Sequence, residues 1–286
     1  MEIFNTWQFN LAGYLVSVVA FYQFYKLAVR DAVKDGAATI TLQLLAGLAS
    51  LILVPFFAIQ FPSDSKYWWL LLGACIFYAL NDRLQTTARK NLQVSVFTIV
   101  NQLSTVFLFM FGFTLFKEPF NLNKFIGVLL ILAANILLRY SKGKLEFNKY
   151  ILYGVFATLS FAIAMSIDID ISTVFNLPIY IMLTLVIPAV FLLSVEKIKF
   201  SEIKTEFNSK NKKFYIITGI AWALAIFFSL RSFQLGEVTT IVPLQASSVL
   251  LNVLIAYFVL GEKKDEVKKI ISALLVIAGM YLTILK

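Results

Sequence analysis

Apolar residues fill most of the chain in ten long runs, separated by short polar or charged breaks. A helix needs about 20 mostly apolar residues to cross a bilayer. Runs near 9–28, 37–60, 67–87, 94–116, 121–140, 149–172, 178–195, 214–234, 238–260 and 267–285 approach or exceed that length. The connections are short, which favours antiparallel neighbours in one bundle. The longest runs from Glu196 to Lys213, is rich in Lys, Glu, Ser and Asn, and reads as an exposed loop. Pro119 falls just past the fourth run, where a helix breaks. Pro188 and Pro243 lie inside the seventh and ninth runs and predict kinks. Gly13, Gly73 and Gly219 are positions where helices can approach closely.

The pattern repeats. Residues 92–137 lie over 236–281 without a gap, so that Glu118 falls on Glu262, a shift of 144 residues. Val94 then falls on Val238, Ser104 on Ser248, Lys124 on Lys268 and Ala134 on Ala278. Asn101 falls on Gln245, polar on polar. The spacing divides ten helices into five and five. An odd number of spans per repeat forces the halves into opposite orientations, the arrangement of many secondary transporters. The expectation is an all-α integral membrane protein of about ten transmembrane helices in two inverted five-helix repeats, 1–146 and 147–286.

The stretch Leu235-Gly-Glu-Val-Thr-Thr-Ile-Val-Pro-Leu-Gln, continuing to Leu260-Gly-Glu-Lys-Lys and Ile277-Ala-Gly-Met-Tyr-Leu, resembles the second repeat of the EamA family, part of the drug/metabolite transporter superfamily. Phe116-Lys-Glu-Pro-Phe, followed by Gly127-Val-Leu-Leu-Ile-Leu, looks like the matching end of the first repeat. The resemblance implies a ten-helix bundle that carries amino acids, metabolites, nucleotide sugars or drugs. It supplies the class of activity and leaves the substrate open.

Composition agrees with a lipid environment. The chain is 60% hydrophobic and 14% charged, with a mean hydropathy of +0.83, where a soluble domain sits near half apolar and a quarter charged. It has no His and one Cys, Cys75. That removes a disulfide framework, the usual zinc, copper and haem sites, and the commonest general base. No nucleophile elbow, phosphate loop or dinucleotide fingerprint is present, so neither an enzyme nor a cofactor is expected. The net charge of +9 does not point to nucleic acid, because the Lys and Arg flank apolar spans as topology signals. The start, Met1-Glu-Ile-Phe, lacks a basic region and a small-residue cleavage site, so no cleavable signal peptide is expected. Most of the 25 Lys and Arg fall in odd-numbered loops, which by the positive-inside rule puts those loops in the cytoplasm and both termini outside. The family's common arrangement puts both termini inside, leaving orientation open. The expected location is the cytoplasmic membrane of a prokaryote. Whether the chain acts as a monomer or homodimer is open.

A charge within a span costs about 2.5–3.5 kcal/mol by insertion scales, so each needs a reason. Lys26 and Arg30 on the first helix read either as snorkelling cations at a helix end or, for Lys26, as an interior charge. Asp82 and Arg83 lie inside the third helix, where adjacent residues point about 100° apart, and they read as partners in structural salt bridges to another helix or, for Asp82, as a functional acid. Asp168 and Asp170 end the sixth helix, where the dipole disfavours acids. Their spacing places them on nearly opposite faces, so one faces the interior. Arg231 is at similar depth on the eighth helix. The resulting gating hypothesis pairs Lys26 with Asp82 on one membrane face, and Arg231 with Asp168 or Asp170 on the other. A coupled proton is a further partner, with Asp168 and Asp82 the candidates, because desolvation favours the neutral carboxyl form. Asn101 and Gln245 fall on symmetric walls of a central site, where they bind a small-molecule substrate or bond across helices. Tyr22, Gln23, Tyr78, Asn81 and Trp222 complete the candidate lining. Glu118 and Glu262 read as interfacial caps or loop contacts. The function expected is a secondary transporter of a small polar metabolite (amino acid, sugar derivative or drug-like solute). The alternatives are a non-transporting membrane scaffold and a lipid-modifying enzyme.

Overall fold

The computed structural model describes residues 5–32, 34–92, 94–139, 148–259 and 266–285. It is all-α, with no strand among the described residues. The helices are α1 (Trp7–Ala28), α2 (Asp35–Ser50), α3 (Ser65–Asn91), α4 (Val94–Asn101), α5 (Leu103–Thr114), α6 (Leu122–Arg139), α7 (Lys149–Ile171), α8 (Leu177–Val195), α9 (Phe200–Phe207), α10 (Lys212–Leu235), α11 (Val238–Ala246), α12 (Ser248–Val259) and α13 (Glu266–Ile284). Six spans among them are long and apolar enough to cross a membrane: Asp35–Phe56, Lys149–Val174, Leu177–Val195, Lys212–Leu235, Val238–Ile255 and Val267–Ile284. Large apolar side chains such as Val16, Ile52, Trp69 and Ile277 lie outside the core. Together these make the chain an integral, multi-pass membrane protein, because such a surface is stable only against acyl chains.

The structure departs from the sequence pattern in four places. The second run is α-helical only to Ser50 and tightens into a 3-10 turn, Leu51–Phe56, that contains Pro55. The fourth run breaks at Gln102, whose N–H donates to the Ile99 carbonyl three residues back. The ninth breaks at Ser247 in the same way, its N–H donating to the Leu244 carbonyl. The connection from Glu196 to Lys213 contains a short helix, α9, where a loop is expected.

The chain folds as two compact units. The first combines Met1–Ala79 with Ile167–Leu235. In it α1 packs along α10, with the Phe228 ring over Gly13, where a Cβ would come within 2.8 Å of the ring. α2 packs between α8 and α10, and Gly219 faces Leu45, where a Cβ would be 2.8 Å from the Leu45 Cβ. Two of the three glycines that the pattern singles out thus serve as close-approach points. Gly73 does not, since nothing lies within 4 Å of the Cβ it lacks.

The second unit combines Leu80–Ser166 with Gly236–Lys286. Its tightest crossing is α6 on α13. A Cβ at Gly127 would lie 2.6 Å from the Gly279 carbonyl oxygen, and one at Gly279 would lie 2.7 Å from the Gly127 carbonyl oxygen. Each glycine therefore seats the other helix's backbone, the close contact that replaces a hydrophobic drive in lipid. Gly127→Ala or Gly279→Ala should force the pair apart and cost about 1–3 kcal/mol. Thermal unfolding of the variants in detergent checks this, and unchanged unfolding in both would mean the crossing tolerates separation.

Candidate functional site

In the first unit a carboxylate is fully enclosed. Asp168, in the last turn of α7, is 2% exposed. Its two oxygens each accept one phenol: Tyr180 Oη donates to Oδ1 at 2.6 Å, and Tyr78 Oη donates to Oδ2 at 2.7 Å. The local sequence explains the convergence. Asn176 caps α8 by accepting from the Ile179 N–H, which sets Tyr180 in the first turn of α8, facing α7. On α3, Trp68, Cys75 and Tyr78 recur at helical spacing and so share a face. Cys75 is buried, with Leu183 of α8 beside its sulfur. An aromatic ladder runs beside the carboxylate: Trp68 to Phe175 at 5.1 Å and Phe175 to Tyr180 at 5.2 Å between centroids.

Asp170, two residues on, is exposed. The expectation that one of the two acids faces inward therefore resolves onto Asp168. The expected ion pair with Arg231 does not form. The Arg231 guanidinium instead donates to Gln234 Oε1 at 3.0 Å and to Asn5 Oδ1 at 3.1 Å, and Gln234 in turn donates to Ser172. Both acceptors are neutral amide oxygens, and they take up two of the guanidinium's N–H groups. The side chain of Lys26, and with it the expected pair with Asp82, lies outside the described residues, as does Glu262. Tyr22 is 49% exposed, and the Trp222 ring packs tilted against Phe21, 5.4 Å between centroids. Gln23 is half-buried.

In the second unit polar side chains gather at the two helix breaks. Asn101, the last residue of α4, accepts from Gln85 Nε2 at 2.9 Å. Asn135 of α6 is fully buried and donates to Gln102 Oε1 at 3.3 Å and to the Ala246 carbonyl at 3.0 Å. One amide thus holds both breaks, taking up a carbonyl freed where α11 ends. Gln245 is half-buried one residue before that carbonyl. Asn81 is buried and donates to Asp82 Oδ1 at 3.0 Å. Sequence reasoning names Asn101, Gln245, Asn81 and Asp82 but misses Gln85, Gln102 and Asn135. Asn135 carries a visible signal, an amide in the middle of the run Leu132-Ala-Ala-Asn-Ile-Leu-Leu. Glu118 is a helix cap, as the sequence suggests: it accepts from the N–H groups of Val238 and Thr239, which open α11. No group of three metal-ligating side chains occurs among the described residues.

Residues 10–140 match the model of the EamA-like transporter family. A solved crystal structure of a protein superposes with a TM-score of 0.74, covering 96% of this chain and 96% of its own, at 14% identity. At that identity the likeness is one of fold. No curated protein matches the chain in sequence.

Proposed function

We propose that the chain, whose residues 10–140 match the EamA-like transporter family, is a secondary transporter that moves a small polar metabolite across the membrane by alternating access. The proposed substrate is an amino acid, a sugar derivative or a drug-like solute. The proposed architecture is ten spans in two inverted five-helix repeats, 1–146 and 147–286. The helix boundaries support it. A shift of 144 residues carries the start of α4, Val94, onto Val238, the start of α11. The same shift carries the start of α6, Leu122, onto Glu266, the start of α13. The six apolar spans together with α1, α3, α4–α5 and α6 make the count of ten.

The observation that carries the reading is the pair of 3-10 tightenings that interrupt the helices at Gln102 and Ser247, which fall within one residue of each other under the same shift. Discontinuous helices release backbone polar groups inside a membrane, and transporters use such points to hold substrate. Here the breaks are flanked by Asn101 and Gln245 and tied by Asn135. Asn101 and Gln245 are assigned as substrate contacts, and Asp168 as the residue that takes up a coupled proton. The cytoplasmic membrane of a prokaryote is the proposed location.

The test is thermal stabilisation of the detergent-purified protein by amino acids, sugars, nucleotides and organic cations. A ligand at about 100 times its Kd should add about 2.7 kcal/mol to the folded state. Asn101→Ala and Gln245→Ala should each reduce that gain. A ligand that stabilises the wild type and both variants equally would remove the helix breaks from the binding site.

A further inference from the structure

The connection from Glu196 to Lys213 joins two membrane-crossing helices, α8 and α10, so its helix α9 lies at the bilayer interface. By sequence the connection mixes three Glu with six Lys. The fold separates them. All three acids turn toward the N-terminus of α2. Glu206 is buried and accepts from the Tyr215 hydroxyl at 3.0 Å and from the Lys34 N–H at 3.4 Å. Glu202 accepts from Lys34 Nζ at 2.9 Å and from the Lys199 N–H at 2.8 Å. Glu196 lies against Gly36, in the first turn of α2. The positive end of the α2 dipole accounts for this attraction. The Lys199 N–H, and then the Lys34 ammonium, hold the Glu202 carboxyl below its usual range, so it stays ionised and engaged at neutral pH.

The cations are left outside. Lys197, Lys199, Lys204, Lys210, Lys212 and Lys213 are all exposed. Among them Phe200, the first residue of α9, is 76% exposed. An exposed ring among outward-facing cations, next to the ends of two spans, matches the chemistry of a leaflet surface: an apolar boundary under a layer of phosphates. We infer that α9 docks on the anionic phospholipid headgroups of its own leaflet, with Phe200 inserted below the phosphates and the lysines among them. The inference does not depend on transport. Docking also gives the Glu202 and Glu206 contacts a second role, since they tie the lipid-bound helix to the start of α2.

The experiment uses the full chain with Cys75→Ala, which removes the sole cysteine, and Phe200→Cys labelled with an environment-sensitive fluorophore. The protein is reconstituted into vesicles of neutral phosphatidylcholine, or of phosphatidylcholine mixed with anionic phosphatidylglycerol. In anionic vesicles the emission should shift to the blue and be quenched by lipids with a quencher near the headgroup. Replacing Lys199, Lys204, Lys210 and Lys213 together by Gln should remove at least half of the difference between the two vesicles. Raising the salt to about 0.5 M, where charges are screened within a few Å, should do the same. Ser201→Cys, labelled in the same way, should report the shift if the Phe200 variant folds poorly. Water-like emission at both positions in both vesicles would overturn the inference. So would a shift that follows protein density in the vesicle, which would assign the surface to a second copy of the chain.

Discussion

Asp168→Asn should leave the fold standing and abolish the dependence of substrate uptake on a pH gradient, with uptake down at least tenfold under a gradient. The wild-type carboxylate is surrounded by two phenols, Tyr78 and Tyr180, and is 2% exposed. It has no ion-pair partner among the described residues, and the one cation expected to reach it, Arg231, is held by Asn5 and Gln234. An uncompensated buried charge is costly, whereas a carboxyl that exchanges a proton with one side of the membrane at a time converts that cost into coupling. Asn keeps the planar shape. Its oxygen accepts from one tyrosine, and its amide donates to the other once that hydroxyl rotates, so packing survives while the titrating group is gone. Asp168→Ala is the contrast. It leaves two phenol hydroxyls buried without an acceptor, each worth about 1–3 kcal/mol, so the unfolding free energy should fall by about 2–5 kcal/mol. Uptake into proteoliposomes with and without an imposed pH gradient, alongside thermal unfolding of both variants, reads the two effects separately. An Asn variant that still responds to the gradient like the wild type would make Asp168 a structural acceptor only.

Geometry decides how much of this site is legible in the sequence. Two acids two residues apart on a helix point to opposite sides, so the spacing announces that one of Asp168 and Asp170 is buried. Tertiary packing alone decides which. Tyr180 gives no signal, because it lies in a run where aromatic side chains are common and its role depends on the Asn176 cap that turns it toward α7. The expected Arg231 pairing rests on depth in the membrane. Depth does not fix reach, and a guanidinium near a helix end finds the nearest acceptors first. The internal repeat is the strongest feature of the sequence, and it makes Asn101 and Gln245 visible as a pair. The helix breaks beside them are not legible, since neither Gln102 nor Ser247 is a helix breaker and Pro243 marks only one of the two. The α9 helix is hidden because apolar periodicity is short over eight residues, and its order derives from Glu202 and Glu206 reaching α2.

Glu118→Ala should destabilise the protein by about 2–4 kcal/mol, the largest expected loss from a single side chain near the surface, since it removes several hydrogen bonds to a charged group. The backbone prepares the contact. α5 ends in a turn where Lys117 takes a left-handed φ of 54° and the Glu118 N–H returns to the Gly112 carbonyl at 3.0 Å. The Glu118 carboxylate is thereby directed at the start of α11. Oε1 accepts from the Val238 N–H at 2.6 Å, and Oε2 accepts from the Thr239 N–H at 2.9 Å and the Thr239 hydroxyl at 2.5 Å. These are charge-assisted bonds to groups a helix leaves unpaired at its N-terminus, and the dipole favours the same charge. Thr239 is fully buried, so water cannot freely replace the lost acceptor. Lys124, which is ion-paired with Glu237 and 3.4 Å from the Thr239 hydroxyl, would also lose a neighbouring anion. Glu118→Gln should recover about half of the loss. Its one oxygen serves one N–H, but its amide group would face donors at the other, and a donor facing a donor is an unmade bond. Thermal unfolding of wild type, Ala and Gln variants in the same detergent measures the ordering. If Ala were within about 0.5 kcal/mol of wild type, the size of an ordinary surface change, the carboxylate would be a solvated loop group. The order wild type above Gln above Ala requires both its charge and its two-oxygen geometry to hold the start of α11.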